Sequence, residues 1–142
     1  MAEQLQLEIV TPERRVLAEA VDAVQLPTLN GEIGILPGHT PLISQLQTGV
    51  LAYTRGGTSQ QLHVSGGFVE VNTDRVSVLA EIAERPEEID AAQARSERDE
   101  AEKILNNANS SEDDAASARE RFDRSQVRLQ LASGNANAAM MR

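Results

Sequence analysis

The feature that most constrains the fold is a change of hydrophobic period partway along the chain. From Leu5 to about Ile82 apolar residues recur at every second position: Leu5, Leu7 and Ile9 alternate with Gln6 and Glu8, Val69 and Val71 flank Glu70, and Val76 and Val78 flank Ser77. Successive side chains of a strand point to opposite faces, so this alternation predicts strands buried on one side. Turn signals separate them at Thr11-Pro12, Pro27 with Asn30-Gly31, Gly56-Gly57, Gly66-Gly67 and Asn72-Thr73-Asp74. Short strands with no long helical pattern between them favour an antiparallel sandwich or barrel over a parallel sheet.

After Arg85-Pro86 the texture becomes alanine, glutamate and arginine, with no glycine until Gly134 and no β-branched run. This is helical composition. Pro86 suits a first turn, and Glu87, Glu88 and Asp90 favour the positive end of a helix dipole, so a helix is expected to about Ala108. Asn106, Asn107, Asn109 and Ser110 interrupt it. Ser111 followed by Asp114 resembles a capping arrangement, predicting a second helix from about Glu112 to Leu131, ended by Ser133-Gly134-Asn135 and followed by a frayed tail to Arg142. The expected architecture is an antiparallel β-sandwich or barrel over residues 1–85 and a two-helix antiparallel hairpin over 86–142.

The two helices carry opposite charge. Residues 87–108 hold seven acids against Arg95, Arg98 and Lys103, a net of −4, whereas residues 119–128 hold Arg119, Arg121, Arg124 and Arg128 against two acids, a net of +2. An antiparallel pairing sets these faces against each other. Its apolar seam is thin, with Ile89, Ala101, Ile104, Leu105 and Ala108 expected on one side and Ala115, Ala118, Phe122, Leu129 and Leu131 on the other. Alanine buries little area, so the hairpin is expected to be marginal alone and free to move.

Composition narrows the function classes. The chain has 142 residues, 40% of them hydrophobic, enough for a core in at least part of it, but its aromatics are Tyr53, Phe68 and Phe122 only. A platform of stacked rings for nucleic acid is therefore absent, and a net charge of −9 also argues against phosphate binding over a broad face. With no cysteine, neither a disulfide frame nor a thiolate metal site can form. Met1 to Leu5 lacks a basic start and a long apolar run, so no cleaved secretion signal is expected, and no window approaches the length of a membrane span.

Catalytic signatures are missing as well. There is no G-x-x-x-x-G-K-[ST] loop and no G-x-S-x-G elbow, and the single lysine, Lys103, falls within a predicted helix. No metal or cofactor is expected. His63, between Leu62 and Val64, reads as an outward polar position on a strand. The acids of the first helix read as a solvated face rather than paired carboxylates for glycoside hydrolysis. Arg121, Arg124 and Arg128 follow i, i+3, i+7 spacing and form one stripe, which is either a solvated face or a partner contact.

One segment is shaped more closely than any other. Gly31-Glu32-Ile33-Gly34-Ile35-Leu36-Pro37-Gly38-His39-Thr40-Pro41-Leu42 packs three glycines and two prolines around large aliphatics. Such spacing specifies one loop shape, with Ile33, Ile35, Leu36 and Leu42 expected to anchor it on the core. Anchored loops are where binding sits.

This segment resembles the G-E-h-G-h-L-P-G-H-x-P-L signature of the epsilon subunit of F-type ATP synthase, where h is hydrophobic. The resemblance extends over nearly the whole chain, through Leu7-Glu8-Ile9-Val10-Thr11-Pro12-Glu13-Arg14-Arg15-Val16, Gly66-Gly67-Phe68-Val69-Glu70-Val71 and Ala83-Glu84-Arg85-Pro86-Glu87-Glu88-Ile89-Asp90. It implies a non-catalytic rotor subunit without a cofactor. The sandwich would bind the gamma subunit and the membrane ring of c subunits, and the hairpin would fold down or extend along gamma into the catalytic hexamer to restrain ATP hydrolysis. Such a subunit would lie on the cytoplasmic face of a bacterial cell membrane, touching the membrane only through the complex.

Carried over by motif, Glu32 and His39 would face the c ring, with a turn acid and a loop histidine bonded to nearby backbone as the other readings. Arg121, Arg124 and Arg128 would meet acidic segments of the beta subunits, beside alpha. The family's nucleotide motif I/L-D-x-x-R-A corresponds to Ile89, Asp90, Gln93 and Ala94, with glutamine in place of arginine, which implies weak ATP binding or none. Arg95 lies two positions on, about 200° around the helix, and is no simple replacement. A free-standing β-sandwich ligand-binding module with a helical oligomerisation tail is the alternative, and it leaves the Gly31 to Leu42 segment unexplained.

Overall fold

Ten strands account for the alternating half of the chain: β1 (Leu5–Val10), β2 (Arg15–Val21), β3 (Ala23–Thr28), β4 (Gly31–Ile35), β5 (Leu42–Gln45), β6 (Gly49–Arg55), β7 (Thr58–Ser65), β8 (Phe68–Val71), β9 (Arg75–Leu79) and β10 (Ile82–Glu84). The computed structural model describes residues 3–140, with side chains through Gly134. The chain divides into two compact units, Met1–Arg85 and Pro86–Arg142.

In the first unit the strands form two five-stranded sheets, ordered β2-β1-β9-β8-β5 and β10-β7-β6-β3-β4. All pairings are antiparallel except β1 with β9, which run parallel from Gln6 opposite Arg75 to Val10 opposite Leu79. The alternation read from sequence is the alternation of burial. Leu5, Leu7 and Ile9 of β1 are fully buried, as are Val69 and Val71 of β8 and Val76 and Val78 of β9, and they join Val24, Leu26, Leu51 and Leu62 of the other sheet in one aliphatic core. A fully buried aliphatic side chain of this size contributes roughly 1.5–3 kcal/mol relative to exposure, so a core almost without rings suffices.

Where β7 leaves one sheet and β8 enters the other, the backbone needs Gly67. Its φ is +92°, and a Cβ there would lie 1.9 Å from the Leu79 carbonyl oxygen. No side chain fits that approach.

His63 departs from its expected outward position. It is fully buried, and its Nδ1–H donates to a Glu84 carboxylate oxygen at 2.8 Å. Leu62, His63 and Val64 are buried in succession, so β7 is covered on both faces there, whereas a period-two reading assumes one wet face. Its Nε2 is buried without a hydrogen-bond partner among the described residues.

The second unit opens with a single 3₁₀ turn at Pro86–Glu88, after which come α1 (Ala91–Leu105) and α2 (Glu112–Met140). Asp90 caps α1, its carboxylate accepting from the Gln93 N–H at 3.1 Å, so the helix proper starts later than Pro86. Asn106 closes α1 through its N–H to the Glu102 carbonyl at 2.9 Å. Ser111 caps α2 as its spacing suggests, with Oγ accepting from the Asp114 N–H at 3.0 Å. The end of α2 differs from expectation: Ser133-Gly134-Asn135 does not stop it, and it continues to Met140. Glycine inside a helix costs about 1 kcal/mol, a local penalty that Ala132, Ala136, Ala138 and Ala139 offset through favourable propensity. Residues 141 and 142 of the expected tail lie outside the described residues.

The seam also differs in detail. Ala94, Ala101, Ala118, Ser125, Arg128 and Leu131 are buried, Ile104, Leu105, Phe122 and Leu129 are half-buried, and Ala108 is exposed past the end of α1. Buried small residues recur at seven-residue spacing, 94 to 101 and 118 to 125, which keeps them on one helix face.

Candidate functional site

The Gly31 to Leu42 segment is a strand followed by a crossing, rather than a free loop. Gly31–Ile35 is β4, paired with β3 so that Glu32 stands opposite Pro27 and Ile35 opposite Val24. β4 is the edge of one sheet and β5 is the edge of the other, so residues 36–41 carry the chain between the two layers. Pro37 and Gly38 turn it. Gly38 has a φ of +87° and donates its N–H to the Thr73 carbonyl at 2.7 Å, while the His39 N–H donates to the Leu36 carbonyl at 3.1 Å.

Ile35 is buried and Ile33 and Leu42 pack partly against the core, as anchors should. Leu36 does not: it is 63% exposed, because it directly follows the inward-facing Ile35 and so falls on the outward side where the turn begins. Glu32 is exposed on β4, and His39 is half-exposed in the turn, its Nδ1–H donating to the Thr40 carbonyl at 2.6 Å. That bond selects the tautomer with the proton on Nδ1. The segment thus presents a carboxylate, an imidazole and a bare leucine on one edge of the sandwich.

A second surface was not anticipated. On the outward face of the β2-β1-β9-β8-β5 sheet, Phe68 and Leu79 are directly opposed across β8 and β9 and are 56% and 59% exposed. Val10 is the partner of Leu79 on β1, and Ile43 of edge strand β5 is 72% exposed. A shallow groove of about 310 Å³ lies alongside, lined by Val10, Thr11, Pro12, Leu79, Ala80 and Glu81. The signal for this patch was in the alternation itself. Once Val69 and Val71 face inward, Phe68 must face outward, and a phenylalanine in that place calls for a partner.

A polar pocket of about 360 Å³ is lined by Glu19, Tyr53, Arg55, Thr58, Gln60 and Arg85. Burial, helped by the Glu19 carboxylate, raises the Tyr53 phenol above its usual 10.0, against the opposing pull of Arg85.

In the helical unit the four residues of the nucleotide motif do not share one environment. Asp90 is spent on capping α1, Gln93 is exposed, Ile89 is half-buried and Ala94 is buried. The arginine stripe is not a solvated face either. Arg128 is 8% exposed, and Arg124 and Arg128 both bind Glu97 of α1, with Arg128 Nη1 at 3.5 Å from Oε2 and Arg124 Nη2 on Oε1. Arg121 has its Nε buried without a partner among the described residues. Helical spacing alone shows which residues share a stripe, and it leaves open whether that stripe faces water or the facing helix.

Comparison with known proteins follows the same division of the chain. A family model described as "ATP synthase, Delta/Epsilon chain, beta-sandwich domain" matches residues 4–86. A protein of Herpetosiphon aurantiacus named ATP synthase epsilon chain is 48% identical over 128 residues, covering 90% of this chain and 93% of its own. One of the same name from Geotalea uraniireducens is 39% identical over 132 residues, covering 93% and 96%. Among solved structures, a chain of the Euglena gracilis mitochondrial ATP synthase, in a structure of OSCP, F1 and c-ring, matches with a TM-score of 0.77 at 28% identity, over 87% of this chain and 78% of that one. A chain from the central stalk and c-ring of the Tetrahymena thermophila enzyme shares the fold at a TM-score of 0.64, with 14% identity over 93% of this chain and 99% of that one.

Proposed function

Because the chain belongs to the epsilon-chain family of F-type ATP synthases, whose members are non-catalytic subunits of that complex, we propose that it joins the gamma subunit to the c ring in the rotor. The observation that carries this reading is the bare apolar pair of Phe68 and Leu79, 56% and 59% exposed, with Ile43, 72% exposed, on the same outward face. A protein that works alone buries or charges such a surface, whereas a stalk subunit has a partner for it. We assign it to gamma. Glu32 and His39, on the edge segment that crosses between the sheets, face the polar loops of the c ring. No helix among the described residues is long and apolar enough to cross a membrane. The chain meets the membrane through the complex. The complex lies on the cytoplasmic face of a bacterial cell membrane.

The helical unit restrains ATP hydrolysis when α2 parts from α1 and sets Arg121, Arg124 and Arg128 against acidic segments of the beta subunits. Support comes from the charge of the stripe and from the thin seam of alanines beneath it. ATP itself binds weakly, since Gln93 offers phosphate no charge and Asp90 is engaged in the helix cap.

Affinity capture from solubilised membranes tests the assignment. Full-length chain is expected to bring down alpha, beta and gamma with ATPase activity, and Phe68→Ser with Leu79→Ser is expected to lose gamma while the chain stays folded. Recovery of a lone homo-oligomer would instead identify a free-standing binding module.

A further inference from the structure

The ion-pair cluster inside the hairpin assigns a role to Glu97 that the family reading does not contain. Its two carboxylate oxygens are divided between two arginines of the other helix, Oε1 to Arg124 Nη2 and Oε2 to Arg128 Nη1 at 3.5 Å. Arg124 and Arg128 are four residues apart and so lie one turn apart on a single face of α2, where one carboxylate from α1 can reach both. The cluster is largely withdrawn from water: the side chains of Arg128, Glu97 and Arg124 are 10%, 21% and 28% exposed. Screening by salt is weak at such depth, and charge-assisted bonds there are among the stronger ones available to a protein.

A guanidinium has N–H donors beyond those that meet Glu97, but the closed hairpin leaves those of Arg128 little room for a carboxylate from outside. While α1 holds Arg128 at 8% exposure, an acidic segment of another protein has no access to it. Engagement outside requires Glu97 to let go. Buried apolar contacts do little to oppose that, because Ala94, Ala101 and Ala118 bury little area each. The closed hairpin also leaves Arg121 Nε buried and unmet among the described residues, a donor that an external acceptor satisfies once the helices separate.

We propose that Glu97 is an internal latch, a carboxylate that occupies Arg124 and Arg128 within the hairpin in direct competition with acidic side chains of the beta subunit. The strength of the restraint is then set by the balance between the Glu97 carboxylate and those outside the chain. This inference rests on the proposed contact between the arginine stripe and beta.

The test uses the full-length chain and has two readouts. The chain has no cysteine, so Glu100→Cys on α1 and Glu120→Cys on α2, both at exposed positions, accept a pair of spin labels whose distance distribution reports closure. The second readout is ATP hydrolysis of the assembled enzyme. Glu97→Gln keeps the shape and removes the charge. It is expected to raise the open population about tenfold or more, since it strips a partly buried pair of one partner, and to lower hydrolysis in the assembled enzyme. Exchanging the charges, with Glu97→Arg and Arg124→Glu together, is expected to restore much of the closed population and guards against a general loss of folding. Reversing Arg121, Arg124 and Arg128 to glutamate is expected to open the hairpin and raise hydrolysis, because both contacts are lost. If Glu97→Gln leaves the distances unchanged, the latch is overturned. If it opens the hairpin without lowering hydrolysis while the triple reversal raises hydrolysis, the competition is overturned and the restraint stands. If both variants open the hairpin and neither alters hydrolysis, the latch stands and the proposed contact with beta fails.

Discussion

The two units of this chain are held together by different physics. The sandwich buries large aliphatics, among them Leu5, Leu7, Ile9, Leu26, Leu51 and Leu62, in a continuous core fed by both sheets. The helical unit buries Ala94, Ala101, Ala118, Ser125 and Leu131 and places an arginine–glutamate cluster among them. Apolar burial scales with area, so the sandwich has much to lose by opening. A seam of small residues with charges at its centre has little area to lose and a charge pattern that other carboxylates can satisfy. Stability is thus concentrated in the sandwich, and exchangeable contacts are concentrated in the helical unit.

The largest test of that contrast separates the units. Residues 1–85 expressed alone are expected to keep a cooperative urea transition, while residues 86–142 alone are expected to give a broad, shallow one by circular dichroism. A molten sandwich fragment beside a cooperative helical one would invert the comparison. Next in size is the core itself: Leu7→Ala is expected to cost about 2–5 kcal/mol, read from the urea midpoint, because a fully buried leucine leaves a cavity that strands on both sides keep from closing. A loss under 1 kcal/mol would show a core far looser than its burial implies. Smaller still is the capping of α2. Ser111→Ala removes the acceptor of the Asp114 N–H and is expected to cost about 1 kcal/mol, confined to the helical signal. Spread of that loss into the sandwich transition would mean that the units unfold as one.

The smallest effect is one of pH. The Tyr53 phenol is raised above 10.0 by burial first and by Glu19 second, so the folded chain favours its neutral form. A group whose folded value is raised contributes stability that is complete below its unfolded value and is lost as pH climbs through the folded one. The sandwich is therefore expected to weaken above about pH 10, and Tyr53→Phe is expected to flatten that alkaline loss in urea midpoints taken across the range. An unchanged alkaline slope in the variant would assign the loss to other groups.

Much of the architecture could be read from residues alone, because period and punctuation are local. Alternation at Leu5 to Ile9 and Val69 to Val78 announces half-buried strands, and Ser111 with Asp114 announces a helix start whose bonds form as expected. What could not be read depends on which surfaces meet. Whether His63 is wet or dry is decided by what lies over β7, and whether Arg128 is solvated is decided by the acid on the facing helix. Leu36 looked like an anchor because it follows Ile33 and Ile35, yet it falls one residue past the strand, where the turn points it outward. Gly134 resembled a helix end, but a single local penalty does not outweigh an alanine-rich continuation. Glu32 and His39 are legible only through their motif, because the exposure of an edge segment carries no mark of what meets it.

The parallel pairing of β1 with β9 has a mechanical consequence. Every other neighbour in the sandwich is antiparallel, so this junction alone joins an early strand to a late one in the same direction, from Gln6 opposite Arg75 to Val10 opposite Leu79. Tension applied between the beginning of the sandwich and its end first peels the three-residue β10 from β7 and then reaches β9. There the pull runs along both strands in opposite senses, so the rungs between them carry the load together and none can open ahead of the rest. A body built this way resists being drawn out along its length more than being unzipped across it.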